Sequence, residues 1–186
     1  SFDTYSYDPR NPCPNIFDTS ITPAEGPFDQ RPIERRDDVL VYSTDPMERD
    51  LEVSGPVQVK LYAATSARDT DFWAQLVDVF PNGYSMHLTE GMLRGRYRKS
   101  LETPALLEPQ KIYEFNIDLW VISNEFLKGH SIRLHISSSS FPKYDRNPNT
   151  GHEFGRDSEL LTAHQTIYHN EEFPSHILLP LVDESL

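Results

Sequence analysis

Two serines come nearest to a nucleophile. Acyl transfer of the hydrolase type needs Gly-x-Ser-x-Gly, because a tight strand-to-helix turn must expose the serine. Gly83-Tyr84-Ser85-Met86-His87 lacks the second glycine and leads from a hairpin signal into a strand. Ser140-Phe141-Pro142-Lys143 matches Ser-x-x-Lys, a motif in which a lysine one helical turn away serves as base. Here the serine ends a strand and a proline interrupts the spacer. Neither Ser-Asp-Asn nor Lys-Thr-Gly accompanies it. The chain is expected to hold no catalytic residue. Metal chemistry fares no better. His130 and His135 are five apart, as are His164 and His169, so each pair points to opposite faces of a strand. Asp69-Thr70-Asp71 lacks the ligand series of a calcium loop and reads as a turn. No metal site and no cofactor is expected. The richest stretch follows Ser140. Asp145, Arg146, Asn147 and Asn149 can bond backbone and one another, while Phe141 and Tyr144 can pin the loop to an apolar surface. The favoured reading is a self-satisfied structural loop; a domain interface is its functional use.

The elements that must position these residues are strands. Val57, Val59, Leu61 and Ala63 alternate with polar neighbours, a period of two. Phe72–Phe80 is apolar on both faces, as a central strand is. Asn82-Gly83 is a hairpin signal. Its return strand runs to about Arg98, with Gly91 and Gly95 as points of close backbone approach. Tyr113, Phe115, Ile117, Leu119 and Val121 share one face; Ile132, Leu134 and Ile136 share another. Gln165–His169 and His176–Val182 complete the sheets. A short helix is expected near Ser158–Ala163 or in Ser123–Leu127. The expected class is all-β, a jelly-roll sandwich of galactose-binding-domain type with long irregular loops. Residues 1–38 read as an extended, proline-rich arm packed on a sandwich of residues 39–186, because prolines interrupt any helix and aromatics seek a surface.

The 186 residues carry a net charge of −12, which argues against nucleic acid and against an anionic membrane. One cysteine, Cys13, cannot form an internal disulfide and fits a reducing, cytoplasmic setting. The opening residues lack the charged and apolar regions of a signal peptide. A start at Ser1 is what a fragment of a larger protein would show.

Six blocks, in order, carry a resemblance: YDPRNPCP, FDQRPIERRDDVLVYSTDPMERDLEVSGPV, DTDFWAQLVDVFPNG, GMLRGRYR, GHSIRLHISSSSFPKYDRNPNTG and FPSHILLPLV. Together they resemble the C-terminal domain of the cocaine-esterase/NonD hydrolases. That group includes α-amino-acid ester hydrolases, glutaryl acylases and X-prolyl dipeptidyl-peptidases. The resemblance implies a non-catalytic module of a serine hydrolase that cleaves esters or X-Pro amides. Its partner would be its own upstream α/β-hydrolase domain, absent from this chain, with a homo-oligomer as a further assembly. It also implies that the segment about Ile16, Phe17 and Ile21 walls the acyl pocket, although Asn15-Ile16-Phe17 replaces the Gly-Gly of many relatives. The alternative is a carbohydrate-binding jelly roll, with Trp73 or Trp120 stacking on a sugar.

Overall fold

The computed structural model describes residues 1–16, 26–153 and 155–182. Its strands are β1 (Phe2–Tyr7), β2 (Leu40–Ser43), β3 (Leu51–Thr65), β4 (Asp71–Val79), β5 (Ser85–Arg94), β6 (Tyr113–Phe126), β7 (Ser131–Ser137), β8 (Ala163–Tyr168) and β9 (His176–Leu178). They build two antiparallel sheets. One has the order β1-β8-β3-β6, with β9 also joined to β3; the other is β2-β7-β4-β5. Among the described residues there is no α-helix, only two 3-10 turns at Ile33–Arg35 and Gly95–Tyr97. No helix there is long and apolar enough to cross a membrane.

Alternation produces the core. Val57, Val59, Leu61 and Ala63 of β3 are buried, as are Phe115, Ile117 and Leu119 of β6. They meet Phe72, Ala74 and Leu76 of β4 between the sheets, with the rings of Phe72 and Phe115 centred 4.6 Å apart. Each Val, Leu, Ile or Phe among them contributes about 1.5–3 kcal/mol on burial. The β4–β5 hairpin turns at Asn82-Gly83. Gly83 takes a φ of +83°, and the Asn82 side chain accepts the Tyr84 amide at 2.9 Å.

All nine residues of β4 are buried, so its outer face also has a cover. Trp73 on that face packs with Cys13, Ile33 and Val39, and Ile16, Met92 and Tyr144 lie against them. The stretch read as an arm therefore provides both an edge strand, β1, and a lid over β4.

Neither place considered for the one short helix is helical. Ser123–Phe126 continues β6, whose alternation ends with Phe126 fully buried. Residues 158–162 have no regular structure before β8 begins at Ala163.

Glu34, on the first 3-10 turn, ties the lid to the sheet. It accepts from Ser85 Oγ, from His135 Nε2 at 3.1 Å and from Arg133 Nη1 at 2.8 Å. Burial alone would raise its pKa, but these three bonds outweigh it and hold the carboxyl at about 2, against an ordinary 4.5. A depressed acid stabilises the fold fully above its ordinary pKa and loses that contribution as pH falls through the folded value. After solvent screening the contribution is about 2 kcal/mol. Glu34→Gln should cost that much near neutrality, and its deficit relative to the parent should shrink between pH 4.5 and pH 2. Urea titrations of both proteins across that range check it; a deficit that stays constant contradicts it.

Candidate functional site

The loop after Ser140 divides into a buried node and an exposed tip. Asn147 and Asn149 are buried, whereas Phe141, Asp145 and Arg146 are exposed and Tyr144 is half-buried. In the node, Arg94 Nε and Nη2 grip Asp71, each at 2.9 Å, and Arg96 Nε donates to Asp69 at 2.7 Å. Asn147 Nδ2 donates to both carboxylates, at 3.0 Å to Asp69 and 2.8 Å to Asp71. Its carbonyl oxygen Oδ1 accepts the Asn149 amide at 2.9 Å, and its backbone carbonyl accepts the Tyr7 hydroxyl at 3.1 Å. The Asp-Thr-Asp stretch is thus consumed by arginines and an amide.

The tip is strapped to the lid. Phe141 and Pro14 form a parallel bridge, with the Phe141 amide donating to Cys13 O and the Asn15 amide to Phe141 O. Ile16 and Tyr144 join the same apolar cluster. Two parts of the predicted site, Ile16 and the tip, are therefore neighbours. Phe17 and Ile21 lie outside the described residues. The buried Glu90 carboxylate accepts Trp73 Nε1 at 2.7 Å and pairs with Lys143 Nζ at 2.6 Å.

A groove of about 420 Å³ follows, lined by His87, Thr89, Glu90, Lys143, Tyr144 and Trp120. Trp120 is 71% exposed and its neighbour Val121 is 69% exposed. The cause is a bulge: Pro56 pairs with Val121 and Gln58 with Asp118, so Leu119 and Trp120 together face one residue of β3. Val121 consequently leaves the face that Tyr113 to Leu119 share. Trp120 sits at φ +64°, its amide accepted by the Asp118 carboxylate at 2.8 Å. A bulky side chain in that region costs about 1–2 kcal/mol. Trp120→Asn should therefore stabilise the domain by about 1 kcal/mol, a rise of roughly 2–4 °C in Tm. Calorimetry that finds a lower Tm would sink this reading of the bulge.

The serines singled out for nucleophilic chemistry are engaged elsewhere. Ser85 Oγ donates to Glu34, and Ser140 Oγ accepts Asn15 Nδ2 at 3.1 Å, while Lys143 pairs with Glu90. Two serines do touch imidazoles. Ser6 lies directly across from His164, and their side chains meet at 2.9 Å. Ser1 Oγ meets His169 Nδ1 at 2.8 Å, and His169 Nε2 meets Asp3 at 2.9 Å. The first is a cross-strand pair of the β1–β8 ladder, and the second lies just beyond the end of that ladder. A triad aspartate is buried and dedicated to its histidine. Asp3 is 44% exposed and also accepts the Tyr42 hydroxyl at 2.9 Å. Cys13 is fully buried, and burial pushes its thiol up to about 12, so it is no nucleophile either.

The chain matches the model of the X-Pro dipeptidyl-peptidase C-terminal non-catalytic domain over residues 1–178. It belongs to that family. It is 49% identical over 186 residues to the cocaine esterase of Rhodococcus sp. (strain MB1 Bresler), covering 98% of this chain and 32% of that protein. Two solved structures are similar over nearly the whole chain. An aminopeptidase from a marine sediment archaeon, Thaumarchaeota archaeon, superposes with a TM-score of 0.91 at 33% identity, covering 98% of this chain and 33% of that one. An α-amino acid ester hydrolase superposes with a TM-score of 0.89 at 32% identity, covering 97% and 32%. The chain thus spans about a third of the length of these relatives.

The family is described as a non-catalytic domain. Three features escaped the sequence reading: the Glu34 network, the Lys143–Glu90–Trp73 chain and the exposure of Val121 beyond the bulge. Only the last had a local signal, since Asp118 two residues before Trp120 can support a left-handed backbone.

Proposed function

We propose that this domain seats itself on the α/β-hydrolase domain of a serine hydrolase of the cocaine-esterase/NonD group and narrows its acyl pocket. The carrying observation is the face that joins Ile16, Phe141 and Tyr144 where the lid leaves the sandwich. In this reading Ile16, Phe17 and Ile21 wall the pocket. Phe141, Tyr144, Asp145 and Arg146 meet the catalytic domain, and Asn147 and Asn149 hold that loop in shape. The arm of residues 1–38 and the sandwich of residues 39–186 act as one body. The catalytic domain supplies the chemistry: acylation of a serine, general-base help from histidine, then attack by water. The present domain supplies orientation and excludes misfitting acyl groups. In the longer polypeptide, Ile16→Ala and Phe17→Ala should shift the ratio of kcat/KM for benzoyl over acetyl esters by about tenfold. Hydrolysis kinetics with both esters, alongside melting curves, test it. An unchanged ratio in folded variants removes the pocket role.

A second reading has one observation in its favour: Trp120 is exposed beside a groove with polar walls, as a sugar platform would be. Such a site stays open in the longer protein, and calorimetric heat with a monosaccharide panel should vanish in Trp120→Ala. An indole buried in the longer protein, with no heat from any sugar, excludes it.

A further inference from the structure

The sandwich is closed along one side and open along the other. On the closed side the edge strands β5 and β6 touch backbone to backbone. Gly91 lies so near the Asp118 carbonyl that a Cβ would stand 1.9 Å from its oxygen, and Thr89 Oγ1 donates to Leu119 O. On the other side a groove of about 440 Å³ runs into the core. It is lined by Leu61 of β3, Leu134 and Ile136 of β7, Ile167 of β8 and Ile177 of β9, with Tyr42 of β2 among its walls. Leu61, Ile136 and Ile167 are members of the main core cluster, so this is the interior of the sandwich opening to the outside.

Two strand edges belong to this groove's walls. β2 ends its sheet with β7 as its neighbour, and β9 pairs with β3 alone among the described residues. Strand edges beside a half-open aliphatic groove are a template for one more strand, which pairs through its backbone and fills the gap with alternate side chains. Ser1 stands beside this wall. Its hydroxyl meets His169, which also lines the groove, and β1 runs antiparallel to β8 with Phe2 opposite Tyr168. A polypeptide that continued the line of β1 back beyond Ser1 would pass the groove. The relatives have length for it, since the chain covers 32% of the cocaine esterase and 33% of the archaeal aminopeptidase.

We infer that, in the longer polypeptide, an extended and alternately apolar segment directly ahead of Ser1 occupies this groove as an additional strand. It completes the core in cis, as a donated strand completes an open sandwich. Ser43, Thr44, His169, Ser175 and His176 also line the groove; a strand would meet polar groups and sheet edges with its backbone and the aliphatic wall with alternate side chains.

The test uses a thiol placed in the groove. Cys13 is fully buried, so Leu134→Cys gives one reactive position. Ile177→Cys, on the opposite wall, serves if the first variant does not fold. Labelling with a maleimide should be on the order of tenfold slower in the longer polypeptide than in the 186-residue chain. A maleimide–diazirine reagent on that thiol should then crosslink to residues directly ahead of Ser1, located by mass spectrometry. Equal labelling rates overturn the inference. So do crosslinks to a second copy, seen as a dimer band, or to a segment remote in sequence. Hydrolysis is not the readout, so a filled groove in an enzyme whose acyl preference ignores Ile16 and Phe17 would leave this inference standing and remove only the pocket role.

Discussion

Gly91→Ala is expected to lower Tm by about 10 °C, corresponding to roughly 3 kcal/mol of overpacking. The added methyl would stand 1.9 Å from the Asp118 carbonyl oxygen and 2.9 Å from its carbon. Both are backbone atoms of β6, so no side chain can swing away. Gly91 is paired with Ala74 of β4, which holds β5 in place from its other side. Relief must come from parting β5 and β6, which also strains the Thr89–Leu119 bond. Thermal unfolding of the two proteins decides the matter. A variant melting within about 2 °C of the parent would show that the closed edge yields easily and that this contact does not set the sheet spacing.

Asn147→Leu is the second large effect. It removes both amide bonds to the Asp69 and Asp71 carboxylates and leaves a nonpolar group beside two buried charges. Stripping a partner from a buried ionic network costs about 3–5 kcal/mol. The neighbouring Asp145→Ala, at the exposed tip, should fall within about 0.5 kcal/mol of the parent. The contrast separates two environments within one loop: Asn147 is buried in the node, whereas Asp145 is exposed at the tip. Denaturant titrations of the pair supply the comparison. Equal stabilities would mean that the loop is not organised around the node.

The same residues show how far sequence reasoning reaches. Strands β3, β6 and β7 were legible because one buried face imposes a period of two on the chain. Asn82-Gly83 was legible because few dipeptides accept a positive φ so readily. The structural role of Asn147 was legible in kind, since a run of short polar side chains bonds locally, but its partners were not. Asp69 and Asp71 are more than seventy residues away in sequence, and ion pairs at that range leave no local pattern. Val121 misled for a related reason. The alternation through Leu119 predicts that Val121 faces inward, and a single bulge reverses the parity of all that follows it. Ser123–Phe126 then mimicked a helix because the shifted register had already broken the expected rhythm. Glu34 drew no attention within an arginine-rich turn, because its importance arises from His135 and Arg133 on a distant strand.

The account rests on the claim that this domain gives shape to a site whose reactive atoms lie in another part of the polypeptide. The most direct test is hydrolysis of an activated acyl ester, such as a nitrophenyl acetate, by the purified 186-residue chain and by the longer polypeptide. Background rates from the chain and turnover from the longer polypeptide are the expected pair. Turnover by the chain alone that disappears in Ser1→Ala, Ser6→Ala, Ser85→Ala or Ser140→Ala would contradict it.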